Sequence, residues 1–225
     1  MAFDPSPIWI SLKTSLTATA LALVFGVAAA QWREGRKRAA WLALDGVCLL
    51  PMVLPPTVVG FFLLLLFGRN GPLGRLLMHF GALVVFSWPA TVIAATVVSF
   101  PLVYFTARGA LAQVDSTLLD AARTLGASEW RVFRRIALPL AAPGILAGAT
   151  LAFARALGEF GATLMLAGNI PGRTQTLPVA IYFDIESGNL QDASSAVLIV
   201  LAITGVVLAG LALWARSQRH ASQRG

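Results

Sequence analysis

Two places in this chain put charged side chains at spacings that can do work. The first is residues 115–139, DSTLLDAARTLGASEWRVFRRIALP, where Asp115, Asp120, Arg123, Glu129, Arg131, Arg134 and Arg135 stand between two long apolar runs. The second is Arg155 and Glu159, four residues apart inside an otherwise apolar run. That spacing puts both on one face of a helix. Ionisable groups at membrane depth are costly unless they pair or face water. Three readings fit Arg155: an ion pair with Glu159, a pair across a subunit interface, or direct contact with an anionic substrate. Gly158-Glu159-Phe160-Gly161 interrupts helix regularity at the same point. Glycines let backbones approach and segments shift, so Arg155, Gly158, Glu159, Phe160 and Gly161 form the candidate gate on a translocation path.

Covalent and acid–base chemistry have no comparable foothold. The chain holds no Gly-rich phosphate loop with Lys, no HExxH and no Cys/His metal spacing. A single cysteine, Cys48, excludes an intramolecular disulfide. The two histidines, His79 and His220, fall near an expected outer interface and in the tail. No catalytic residue, metal ligand or bound cofactor is expected.

The elements that must position these charges are membrane helices. The chain is 57% hydrophobic and 12% charged, with a mean hydropathy of +0.77. Soluble domains carry about twice that charged fraction. Five spans are expected, at about 8–30, 41–67, 82–105, 140–166 and 195–214, each long enough for a hydrocarbon core of about 30 Å. Trp9 and Trp32 flank the first as interfacial aromatics, and Lys13 can snorkel from it. Pro51 and Pro55-Pro56 interrupt the second, which reads as a kinked helix facing the bundle interior. Trp88-Pro89 and Pro101 lie inside the third, and Gly205 and Gly210 give the fifth a close-packing face. Residues 76–80 read as lying along the outer interface. The polar region 168–192 reads as an outer loop whose apolar piece, 179–185, is too short to span.

A net charge of +7 in a soluble protein would suggest nucleic-acid binding. Here the charges fall between spans. Twelve of the 17 Lys and Arg lie in three segments: 33–38, 108–135 and the tail with Arg216, Arg219 and Arg224. The positive-inside rule places all three in the cytoplasm, giving an N-terminus outside, a C-terminus inside and no nucleic-acid partner.

Within 115–138 the pattern predicts two short helices joined by a bend. Ser116 can cap the first, whose Leu118, Ala122 and Leu125 follow helical spacing. Gly126 suits the left-handed position that ends it. Ser128 can cap the second, where Val132, Phe133 and Ile136 share a face. Pro139 fits the first turn of the next hydrophobic helix.

Asp120-Ala121-Ala122, Gly126 four residues on, and Ile136-Ala137-Leu138-Pro139 resemble the EAA loop of ABC importer permeases, with Asp120 in place of the family's Glu, a charge-conserving departure. Residues 154–163, ARALGEFGAT, and 167–174, AGNIPGRT, resemble the permeases of molybdate importers. Sulfate and tungstate permeases share part of this signature. The resemblance implies an all-α, polytopic type I ABC importer permease fold in a bacterial cytoplasmic membrane, surrounded by lipid. It implies a single permease domain over 1–225, paired with a second copy and with two cytoplasmic ATPase subunits that bind the ATP. A periplasmic molybdate-binding protein would deliver the anion, and the pair would work by alternating access. In the loop, Asp120, Ala121, Ala122 and Gly126 would shape the seat on the ATPase. Arg123 and Glu129 would add charge contacts, and Ser128, Ile136, Leu138 and Pro139 would fix the second helix. An ion-coupled carrier or a membrane enzyme is the competing class; neither repeated halves nor clustered His and carboxylates are present.

Overall fold

The computed structural model describes residues 4–33 and 39–222, and side chains at 4–33 and 41–210. The basic residues Arg36, Lys37 and Arg38, and the side chains of Arg216, Arg219, Arg224 and His220, lie outside the described residues. Among the described residues every regular element is helical: α1 (Ser6–Arg33), α2 (Ala39–Val53), α3 (Pro56–Phe67), α4 (Pro72–His79), α5 (Trp88–Ala112), α6 (Ser116–Thr124), α7 (Glu129–Val132), a π segment (Phe133–Ala137), α8 (Leu138–Leu157), α9 (Gly161–Ala167), α10 (Leu177–Glu186) and α11 (Leu190–Ser222).

The middle of the bundle is built from small residues. Ala18, Ala95 and Ala156 meet where α1, α5 and α8 cross, and Ala22, Val103 and Ala152 meet one turn further on. Alanine lets membrane helices approach closely, so dispersion and interhelical hydrogen bonds replace the hydrophobic drive that lipid cannot supply. Thr14 and Thr91 share a 2.9 Å bond between α1 and α5, and Trp88 Nε1 donates to Thr14 at 3.1 Å. At one end of the bundle a larger cluster joins Ala30, Tyr104, Leu111, Phe133, Ala137 and Ile145. At the other, Val59 and Leu63 of α3 pack with Ala162, Leu166 and Ala167 of α9 against Ala90, Ala94 and Val98 of α5.

Among the described residues four helices, α1, α5, Glu129–Leu157 and Leu190–Gly210, are individually long and apolar enough to cross a membrane. The expected second span differs from a kinked helix: α2 and α3 meet at 113°. Two consecutive prolines break the helix there. Leu54 precedes a proline and is pushed away from helical geometry. Pro55 is extended, at φ −52° and ψ 136°, and neither Pro55 nor Pro56 has an N–H to continue the ladder. The pair forms the fifth crossing only if both arms are taken as one broken span.

Three boundaries also shift. The third span begins at Trp88, not near 82, because Pro89 occupies the first turn instead of the interior. The fifth begins at Leu190, not 195. The second loop helix does not stop before a new span: α7, the π segment and α8 run on as one 29-residue rod, Glu129–Leu157. Pro139 leaves the carbonyl one turn back without an N–H, and the ladder widens there, with Leu138 N–H donating to Phe133 O.

Candidate coupling elbow and gate

The polar stretch folds into an elbow that stands off the bundle. Helix α6 has no buried residue, and an open cleft of about 710 Å³ separates its base from α8, with Gln113, Asp115, Leu118 and Gly144 among its lining. Asp115, not Ser116, caps α6, accepting from Thr117 N at 2.9 Å and Thr117 Oγ1 at 2.6 Å. A carboxylate accepts more strongly than a hydroxyl and favours the positive helix N-terminus. These two bonds hold the Asp115 carboxyl below the ordinary aspartate range.

Helix α6 ends as its glycine predicts. Gly126 is left-handed at φ +79°. Its N–H donates to Arg123 O at 2.9 Å, and Ala127 N–H donates to Ala122 O at 3.1 Å, which is the Schellman closure. Ser128 holds the N-cap position of α7 without a side-chain bond. The bend is locked by charge. Arg123 Nε and Nη2 reach Glu129 Oε1 and Oε2 at 2.8 and 3.0 Å, and Nη1 reaches Asp120 at 2.7 Å. A planar guanidinium suits this bidentate grip. The bond to Glu129, then that to Asp120, raises the Arg123 pKa further above its ordinary value.

The elbow's inner side is anchored and its outer side is bare. Val132, Phe133 and Ala137 are buried. Leu125 is 89% exposed, Trp130 67% and Leu118 50%. Leu125 and Trp130 stand open on the elbow, whereas Leu118 lines the cleft beside α8. Leu118 and Leu125 were legible as helical spacing; that Leu118 lines the cleft and Leu125 stands exposed was not. Asp120, Ala121, Ala122, Arg123, Gly126, Ser128 and Glu129 sit together on the elbow, whereas Ile136, Leu138 and Pro139 lie in the π segment and the first turn of α8.

The candidate gate lies at the other end of the same rod, about 40 Å along its axis at helical rise. Helix α8 stops at Leu157, and Gly158 N–H closes it onto Ala154 O. Arg155 Nη1 lies 2.8 Å from Glu159 Oε2 across this end, a contact of opposite charges without hydrogen-bond alignment. Of the three readings of Arg155, the pairing within the chain is made. Glu159 is 2% exposed, and its Oε1 accepts from Ala162 N at 2.7 Å, capping the start of α9. The Arg155 side chain stays about one-third open. The Phe160 ring packs on Tyr182 of α10 at 5.1 Å between centroids.

The break after α8 lies against the break before α3. A Cβ added at Gly161 would meet Pro56 Cβ and Thr57 N, each at 3.1 Å. One added at Gly60 would meet Ala162 Cα at 2.7 Å. Helices α3 and α9 are therefore seated on each other by glycines, immediately beside the two points where each leaves the rest of the chain.

One constellation was not singled out from the sequence. Asp45 of α2 accepts from Tyr104 at 2.5 Å and Arg33 Nη2 at 3.2 Å, and pairs with Arg108 Nη1 at 2.7 Å. Arg33, Asp45 and Tyr104 are buried. A lone aspartate inside an apolar run was the available signal.

The described residues form an apolar helical bundle carrying a capped, charged elbow between two long helices. The fold matches a methionine ABC transporter in an inward-facing conformation, with a TM-score of 0.73 and 16% identity over 94% of each chain. Residues 22–224 match the family of binding-protein-dependent transport system inner membrane components, and the chain belongs to that family. It is 44% identical over 220 residues, 96% of each chain, to the molybdenum transport system permease protein of Escherichia coli K12. It is 44% identical over 204 residues, 90% of each chain, to a putative molybdenum transport system permease protein of Bacillus subtilis.

Proposed function

We propose that this chain is the membrane permease of an ATP-driven importer that carries molybdate across a bacterial cytoplasmic membrane. It works as a homodimer with two ATPase subunits on its cytoplasmic side and a periplasmic molybdate-binding protein on the other. The N-terminus lies outside and the C-terminus inside. The observation that carries the reading is the exposed Leu125–Trp130 face of the elbow, an apolar docking surface on a rigid, charge-locked bend. Identity to molybdenum permeases over nearly the whole chain supports the substrate.

The elbow is the intake for mechanical work. The ATPase subunits bind and hydrolyse ATP; this chain contributes no catalytic group or cofactor. Closure of the ATPase pair moves the two elbows together. Because α7 continues into α8 through the π segment, displacement of the elbow is displacement of the rod, and it arrives at Gly158–Gly161. There the helix is interrupted, so the rod can tilt relative to α9 without stretching a continuous ladder. The Arg155 guanidinium, held from one side by Glu159 and open on the other, lines the path with one positive charge. A single charge guides a dianion past without trapping it, which leaves selection to the binding protein.

The test is reconstitution with the ATPase and the binding protein. ATP-dependent uptake of radiolabelled molybdate is expected, competed weakly by sulfate and strongly by tungstate. Uptake driven by an ion gradient without ATP, or failure to co-purify with any ATPase subunit, would contradict the proposal. Sulfate outcompeting molybdate would move the substrate but keep the class.

A further inference from the structure

We propose that Asp45 is a positioning residue for transport: it clamps α2 to α1 and α5 as one rigid body, leaving the paired breaks at Leu54–Pro56 and Gly158–Gly161 as the joint on which α3 and α9 move together. The inference rests on the permease reading above.

Helix α2 is held to α1 by the edge-on contact of Trp41 with Trp32, 4.7 Å between ring centroids, and to the buried cluster by Cys48, while much of its remaining surface is open. Leu42, Val47, Leu50, Met52 and Val53 are all exposed. Its buried polar contact is Asp45, which takes one donor from α1 and two from α5. A buried carboxylate with three donors is an all-or-none contact. Removing a partner strands a charge in a low dielectric, so the clamp cannot open cheaply in each transport cycle. Its geometry ties it to the elbow. Tyr104, one of the three donors, belongs to the same buried cluster as Phe133 and Ala137 at the elbow's root, and Cys48 and Leu119 pack against that cluster. Movement of the elbow is thus shared by α1, α2, α5 and α8 as a block.

The other side of the joint is equally well defined. Helices α3 and α9 interlock at Gly60 and Gly161 and rest on Ala90 and Ala94 of α5, a smooth face that permits sliding. Two connections between block and lobe meet at this level, Pro55-Pro56 and Gly158–Phe160; at its far end α3 returns to α5 through α4 and residues 80–87. Neither Pro55-Pro56 nor Gly158–Phe160 has a continuous hydrogen-bond ladder, and they lie against each other. A joint with both of its strands interrupted at one level is a hinge; with only one interrupted it would be a kink.

The experiment measures distances between spin labels in the assembled transporter, with and without trapped ATP. It uses a Cys48→Ser background and dilution with unlabelled chain. One pair, Leu50→Cys with Gln113→Cys, reads α2 against α5; the other, Leu50→Cys with Leu65→Cys, reads α2 against α3. The first distance is expected to stay the same in both states, and the second to shift. Asp45→Asn is expected to broaden the first distribution and to lower uptake per ATP hydrolysed, while Asp45→Glu keeps the first narrow. A first distance that shifts on ATP trapping, a second that stays fixed with ATPase bound, or an Asp45→Asn protein with an unbroadened first distribution would each overturn the proposal. Absence of bound ATPase counts against the permease reading instead. The Asp45→Asn broadening needs no ATPase and still tests the clamp.

Discussion

The elbow and the gate use the same pair of residue types, an arginine and a glutamate, to opposite ends. In the elbow, Arg123 grips Glu129 with two aligned bonds in full solvent. At the gate, Arg155 meets a nearly inaccessible Glu159 through one unaligned contact. In water the pairing holds shape and contributes little stability, since solvent and salt screen it. In the bundle it cannot be given up from the arginine side, because Glu159 alone is a buried charge without solvation. The elbow's pair is exposed, and the gate's carboxylate is buried and bonded to Ala162 N–H. In the proposed mechanism the elbow transmits force and the gate yields to it.

The largest expected effect comes from breaking the buried side of the contrast. Arg155→Met strands the buried Glu159 carboxylate, which should cost about 3–5 kcal/mol and depress thermal stability in detergent. Arg155→Met with Glu159→Gln should recover most of that stability while losing uptake. If the double variant is as unstable as the single, the charge pairing is not what the site requires. Next is Gly60→Val, which forces α3 away from Ala162; overpacking of this kind costs about 1–3 kcal/mol and should abolish uptake with less unfolding. Gly126→Val asks a branched residue to adopt φ +79°, a penalty of about 1–2 kcal/mol, confined to the elbow. Global stability should stay near wild type while uptake per ATP falls, and Gly126→Asn should be milder. The smallest effect is at Asp115. Its carboxyl is lowered by the Thr117 bonds, so its capping contribution is complete at neutral pH and lost only as acid carries pH down through that lowered value. Helix content should be insensitive to pH across the neutral range, and Asp115→Ala should fray α6 without unfolding the bundle.

Legibility in the sequence followed how local each feature is. The Schellman bend at Gly126 is set by residues within one turn of it, and the elbow could be read directly. Its cap was misplaced by one residue because Asp115 and Ser116 are both good caps, and only geometry decides between them. Arg155 and Glu159 were legible as neighbours on one face, since that spacing is fixed by the helix. The depth of Glu159 and its bond to Ala162 were not, because they depend on where the helix ends. The 113° turn at Pro55-Pro56 read as a kink: two prolines announce an interruption, but α3 is turned by its seat on α9, a contact 100 residues away in sequence. Asp45 stayed invisible for the same reason. Its three partners come from two other helices, and one carboxylate in an apolar run carries no hint of them.

The central claim is that the elbow faces the cytoplasm and seats the ATPase through Leu125 and Trp130. Leu125→Cys in a Cys48→Ser background, treated with a membrane-impermeant maleimide, tests it in one measurement. Labelling should be absent in intact cells, efficient in inverted vesicles stripped of ATPase, and suppressed when the ATPase is added back. Labelling from outside intact cells, or labelling in inverted vesicles that bound ATPase leaves unchanged, would contradict it.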